Sequence, residues 1–175
     1  PICEDIWEPE PAQLARSLAG SAAFVSGCAR LFASWAGDFQ KHPNRLPRFD
    51  PEKALRAGGD PNIAYYHSYW KLAPDEALVI EATPPKCDYW NFQLANHWLE
   101  SLDYRYYRIH LNPFTAQLRG DGSVRVVVAH SDPGVENWLD TCGHAQGTMC
   151  WRWVGAVDPP EPRTRVVRIA ELRLE

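Results

Sequence analysis

The sequence predicts a mainly β protein: a jelly-roll-like antiparallel β-sandwich with a long N-terminal α-helix. Three observations carry that prediction. Residues 11–40 hold one apolar stripe at helical spacing. From Ala64 onward the chain is a series of short β-like runs. Turn residues separate most of those runs and leave no room for crossover helices between them.

In the helix, Leu14, Ser21, Cys28 and Trp35 recur at one seven-residue spacing, and Leu18, Val25, Phe32 and Phe39 at another. The two sets interleave at three and four, which puts them on one face. Ala22, Ala23, Ala29 and Ala33 allow close packing beside it. Gly20, Gly27 and Gly37 lower the intrinsic helicity, so tertiary contacts must hold it. Asp38, Lys41 and Pro43 mark its end. The stripe is expected to dock on a sheet, although its spacing also suits a helix of a second copy and hence a homo-oligomer.

Residues 43–62, PNRLPRFDPEKALRAGGDPN, read as a Pro/Gly-rich connector. Its GGDPN segment is a turn, because the residue before a proline avoids helical angles. The expected organisation is a helix and connector over 1–57 packing on a sandwich over 58–175. Candidate strands are 65–72, 77–82, 87–94, 104–111, 123–130, 148–154 and 164–172. Pro74-Asp75, Pro84-Pro85, Gly120-Asp121-Gly122 and Pro159-Pro160 supply the turns. Residues 99–107 also suit a short helix.

Composition narrows the function classes. The 175 residues are enough for one domain with its own core. A formal net charge of -4 argues against a general nucleic-acid binder. Arg163, Arg165, Arg168 and Arg173 cluster near the end, but Glu161, Glu171 and Glu175 dilute them, as on a solvated strand face. No uncharged run approaches the roughly 20 apolar residues of a membrane span. No basic-then-apolar leader is visible, and the expected location is cytoplasmic. The chain opens on Pro1 rather than Met, so it is read as a segment of a longer polypeptide. Five cysteines without a C-x-x-C pair are expected to be free thiols.

Residues 87–103, CDYWNFQLANHWLESLD, are the richest stretch. Read as a strand, they put Trp90, Phe92 and Leu94 on a core face and Tyr89, Asn91 and Gln93 on the other. Side-chain amides pair donor with acceptor and suit hydroxyl, carbonyl or carboxylate ligands. Asn96, His97 and Glu100 continue the polar run, and Trp98 borders it as a cleft wall. The structural alternative is a set of amides that tie a loop to backbone.

A second polar stretch, 131–147 (SDPGVENWLDTCGHAQG), reads as a binding loop or lid. Residues 136–141 suit one helical turn, which would bring Asp140 to His144 as acid and general base. Trp138 would line the same cleft, and Arg152 would supply a cation for a carboxylate. The alternative is a capped structural loop. Histidines are numerous but scattered, with His130 and Asp132 the best local pair; no metal site is assigned. No nucleophile elbow and no phosphate loop appear, and Cys142 near His144 is a weak nucleophile pairing.

The runs GGDPNIAYYHSYWKLAPDEALVIEATPP, CDYWNFQLANHWLESLDYRYYRIHLN and DGSVRVVVAHSDPGVENWLDTCGHAQGTMCWRW resemble the bacterial domain-of-unknown-function family catalogued under the number 1214. YWNFQL, NWLDT and GH-x-x-G are the specific motifs. The resemblance covers 58–157, with a weaker match in the preceding helix and in HPN at 42–44. It implies a jelly-roll sandwich, usually the C-terminal module of a larger protein and often paired with a second β domain, catalogued as 1254. It implies no chemistry.

The expected function is therefore a module that binds a small organic ligand in a cleft walled by Tyr89, Asn91, Gln93, Asn96, His97, Trp98 and Trp138. Asp140, His144 and Arg152 would carry its charge, with no cofactor named. It is expected to work with the rest of a larger polypeptide and with neither nucleic acid nor membrane. A scaffolding or assembly module, or a carbohydrate-binding module, is the alternative.

Overall fold

The computed structural model describes residues 10–172. The chain divides into two compact units, one up to Trp35 and one from Ala36 onward. The first unit is the helix α1, which runs Pro11–Phe39 and enters the second unit with its last turn. Leu18, Phe24 and Val25 on it are exposed. No helix among the described residues is long and apolar enough to cross a membrane.

The second unit holds two facing sheets that do not close into a barrel. One is ordered β1-β7-β3-β4 and the other β6-β5-β2-β8. The strands are β1 (Ile63–Lys71), β2 (Glu76–Ala82), β3 (Tyr89–Ala95), β4 (His110–Leu111), β5 (Val124–Ala129), β6 (Trp138–Asp140), β7 (Gln146–Val154) and β8 (Arg163–Arg168). Two short helices complete it, α2 (Pro51–Arg56) in the connector and α3 (Ile169–Leu172) after β8. Asp50 caps α2 by accepting from the Glu52 and Lys53 amides, and Pro51 fits its first turn.

The expected β class holds, with four corrections. The second sheet is mixed, because β6 pairs parallel to β5. The strand expected over 104–111 shrinks to β4, since Asp103 engages the Arg105 amide and side chain and turns the chain. The run 164–172 breaks after Arg168, where the Ile169 amide bonds Asp75 and α3 buries Leu172. Residues 138–140, expected in a helical turn, form β6 instead.

The main core lies between the sheets. Tyr66, Trp70, Trp90, Phe92, Leu94, Trp151 and Trp153 enter it from the first sheet, and Leu78, Ile80, Val126 and Val128 from the second. Trp90 stacks on Trp151 at 5.2 Å. Burying rings of this size contributes more to a core than any other side chain does. A smaller cluster, Ala77, Val79, Val127, Ala129 and Leu172, covers the outer face of the second sheet.

Gly147, the last glycine of GH-x-x-G, owes its identity to this packing. A Cβ there would lie 2.3 Å from the Ala95 carbonyl oxygen and 2.9 Å from the Trp70 ring. Backbone and a core indole cannot both yield, so Gly147→Ala is expected to destabilise the fold by about 2–3 kcal/mol. Urea denaturation of the variant checks this.

Candidate functional site

β7 is an inner strand of the first sheet, paired with β1 and β3, and its alternation builds the site. Met149, Trp151 and Trp153 point into the core, so Thr148, Cys150 and Arg152 point outward. Register then lays rows across the outer face: Tyr65, Arg152 and Asn91, then His67, Cys150 and Gln93, then Tyr69, Thr148 and Ala95. The strand reading of YWNFQL is correct. Tyr89, Asn91 and Gln93 share this face, with Tyr89 at its margin opposite Val154.

Arg152 is half-buried between the amides. Its Nη1 donates to Asn91 Oδ1 and to Gln93 Oε1, each at 3.5 Å, the outer limit of a hydrogen bond. Among the described residues no carboxylate stands within ion-pair distance of it, and its Nε and Nη2 meet no protein acceptor. An arginine held this loosely and left unneutralised can still take an anion.

His67 and Cys150 lie beside it, with Cys150 Sγ 3.7 Å from His67 Nε2. Phe39 and Tyr65 stack on the imidazole at 5.3 and 5.8 Å, and Phe49 meets it edge-on. Burial, with the Arg152 charge adding to it, pushes the His67 pKa down to about 3. Burial pushes the Cys150 thiol up to about 12. A thiolate–imidazolium pair needs the opposite shifts, so this contact is not an activated nucleophile.

One end of the face is closed. Thr148 Oγ1 donates to the Asn96 carbonyl, and the Tyr69 hydroxyl meets His97 Nδ1 at 2.9 Å. Asn96 accepts from the Trp98 and Glu100 amides and donates to the Glu100 carboxylate. Asn96 and His97 therefore hold a turn, and Trp98 is exposed on its rim, edge-on to His97. Two cavities open on the face. One of about 50 Å³ is lined by His67, Gln93, Cys150 and Arg152. The other, about 300 Å³, is lined by Arg48, Phe49, Asn62, Tyr65 and neighbouring prolines.

The second predicted stretch lies elsewhere. β6 belongs to the second sheet, so Trp138 packs on that sheet's outer cluster and donates to the Ala129 carbonyl. Trp138 and Asp140 are thus on the opposite side of the sandwich from Arg152. Asp140 accepts from the Cys142 amide at 2.7 Å, while His144 is exposed and its amide donates to the Thr141 carbonyl. The expected acid–base pair does not form, because a strand followed by a turn does not superpose residues four apart.

The rest of NWLDT is equally structural. Buried Asn137 accepts from the Gln117 amide and donates to the carbonyls of Gln117 and Arg125, all within 2.9 Å. Buried Thr141 meets His130 Nδ1 at 2.8 Å, and His130 Nε2 faces the Leu72 carbonyl. Asp132 accepts from the Gly134 amide while both His130 ring nitrogens face other partners, so the two do not pair with each other. Burial and the Asp140 carboxylate push the Cys142 thiol up to about 11, against a nucleophilic role. The four cysteines among the described residues are free thiols. Among the described residues no three His, Cys, Asp or Glu side chains cluster as a metal site would require.

Sequence reasoning missed Tyr65, His67 and Cys150 as site residues. The signal was the alternation of 63–71, whose outer positions carry Tyr65, His67 and Tyr69 in place of charged residues.

No family model and no curated protein matches the chain. Among solved structures, an uncharacterized protein from Burkholderia cenocepacia matches at 50% identity with a TM-score of 0.89, over 97% of this chain and 48% of its own. The VPA0106 protein from Vibrio parahaemolyticus matches at 16% identity with a TM-score of 0.53, over 92% of this chain and 47% of its own. The second likeness speaks to the fold alone. The chain spans about half the length of each of these proteins.

Two predictions separate structural from functional polar groups. Asn137→Ala leaves buried partners unsatisfied and puts alanine at a positive φ of 56°, so it should cost about 3 kcal/mol or more. Asn91→Ala removes only a 3.5 Å contact and should leave the melting temperature nearly unchanged. Thermal melts of the two variants test this contrast. For His67, the unfolded chain takes up a proton near pH 6.5, while the native state resists until about pH 3. Its contribution to stability is full above pH 6.5 and declines as pH falls toward 3. His67→Phe should flatten that part of the stability–pH curve, measured by denaturant titration between pH 7.5 and 4.5.

Proposed function

We propose that the outer face of the first sheet binds a small organic ligand and that the sandwich is a binding module of a larger protein. The observation that carries this reading is Arg152, unneutralised and loosely held between Asn91 and Gln93 on the wall of the smaller cavity. Ligand sites are concave and mostly apolar, with a few convergent polar groups to set orientation. Tyr65, Phe49 and the prolines of the larger cavity supply apolar walls, and Arg48 and Asn62 supply polar groups. Catalysis is not assigned, since the Cys150 and His67 shifts both favour uncharged groups.

Two facing sheets of four strands support the jelly-roll description. The likeness in sequence to domain-of-unknown-function family 1214 and the double length of the two solved proteins support a role beside further chain.

An assembly role is the second reading. It is favoured by α1, where Leu18, Phe24 and Val25 are 63%, 72% and 65% exposed. Size-exclusion chromatography with light scattering weighs it: a strict monomer at high concentration would remove self-assembly.

Native mass spectrometry of the unchelated protein tests the leading reading. A retained organic species is expected, and Arg152→Gln should lose it while keeping the melting temperature within a few degrees. Retention of the same species by Arg152→Gln and Asn91→Ala alike would move the site off this face.

A further inference from the structure

We infer that the ligand of this face is a monocarboxylate, taken through both oxygens by the Nε–Nη2 edge of Arg152. Its body would be directed past Tyr65 toward the larger cavity. The inference rests on the proposed binding role of the face and adds the ligand's chemical class.

Four observations lead to it. First, Nη1 of Arg152 is directed to the amide oxygens of Asn91 and Gln93 at the outer limit of a hydrogen bond, which biases the orientation of the guanidinium and leaves its other edge without a protein acceptor among the described residues. That edge carries two parallel N–H donors, the geometry a carboxylate matches with its two oxygens. Second, no acid lines either cavity, so nothing in their walls competes with an incoming anion.

Third, the charge near the head group is single. Arg152 is the only cationic side chain lining the smaller cavity, and His67 beside it is kept neutral by burial. One guanidinium balances one carboxylate, whereas a phosphate dianion would be left half-neutralised in a desolvated pocket. The smaller cavity, about 50 Å³, has room for a head group and little more. Fourth, Tyr65 is directly across the strand pair from Arg152, one strand spacing or about 5 Å away. It is also a wall of the larger cavity, with Phe49 and Pro159. A substituent leaving the carboxylate on that side meets the Tyr65 and Phe49 rings, with Arg48 and Asn62 as polar groups of the same wall.

The amide oxygens add selectivity. Asn91 Oδ1 and Gln93 Oε1 accept from Nη1, so both amides turn acceptors to the guanidinium and favour presentation of its other edge. A neutral amide ligand could not form the charge-assisted pair and would put an NH₂ against the guanidinium donors.

The test is a titration of the ¹⁵N-labelled full chain, followed through the Arg152 Nε and the Asn91 and Gln93 side-chain amide signals. The probes are benzoate, benzamide as its neutral counterpart, and inorganic phosphate. Benzoate is expected to shift all three signals, and the other two probes to leave them in place. Arg152→Gln should weaken benzoate by about tenfold or more, the loss expected for a charge-assisted pair. Arg152→Lys keeps the charge without the fork and should also weaken it. If Arg152→Gln does not fold, Asn91→Ala serves, with weaker benzoate binding expected.

Equal shifts from benzamide and benzoate would overturn the carboxylate class and leave the binding face standing. Stronger shifts from phosphate would replace it with a phosphate site. Silence of the face toward every probe would overturn the inference, while a species retained in native mass spectrometry would still uphold a ligand of another class.

Discussion

The pairing of β7 with both β1 and β3 is the constraint on which the first sheet depends. It seats Trp151 and Trp153 against Trp90, Phe92 and Tyr66, and the same register sets Arg152 between Asn91 and Tyr65. Strand side chains alternate with a period of two, so a one-residue slip would carry Arg152 into the core and Trp151 into solvent. The indoles thus fix more than the core. Their burial makes the position of the guanidinium on the opposite face non-negotiable, and Gly147 keeps Trp70 and Ala95 close enough to close the same sheet.

Electrostatics on that outer face follow from how little water reaches it. Phe39, Phe49 and Tyr65 cover His67, so its neutral form is favoured over the whole physiological range. Cys150 stays protonated for the same reason. Desolvation thus opposes a new charge on either of these two groups, which lie beside Arg152. Arg152 therefore stands among neutral groups in the smaller cavity, with Arg48 on the wall of the larger one. Neither His67 nor Cys150 is shifted toward the charged form that a thiolate–imidazolium pair would need.

Much of this was legible in the sequence, and the failures have physical causes. The helix α1, the β class and the alternation of YWNFQL followed from local periodicity, which a strand or helix must display to bury one face. Tyr89, Asn91, Gln93 and Arg152 did come to one face because each lies on a strand with a clear core pattern. His67 and Cys150 were obscure because they meet only through the β1–β7 pairing, across a long stretch of sequence. NWLDT misled for another reason. Its Asn, Asp and Thr are the residue types of an active loop, but they are also those that tie off buried backbone when a strand ends in a tight turn. Spacing alone could not reveal that β6 joins the second sheet in parallel.

The two polar stretches differ in how fully their groups are engaged, and that difference is the better guide to function. Asn137, Asp140, Thr141 and His130 all meet protein partners at 2.7 to 3.2 Å. Removing any of them leaves a buried group unsatisfied, which is a cost to folding and no benefit to binding. Arg152 has contacts only at 3.5 Å and an open edge. None of its nitrogens is a buried atom without a partner, so the open edge reaches solvent and can exchange water for another acceptor. That open edge sets Arg152 apart from the fully engaged polar groups around NWLDT. A partner from outside the chain would complete the hydrogen bonding that the protein itself leaves open.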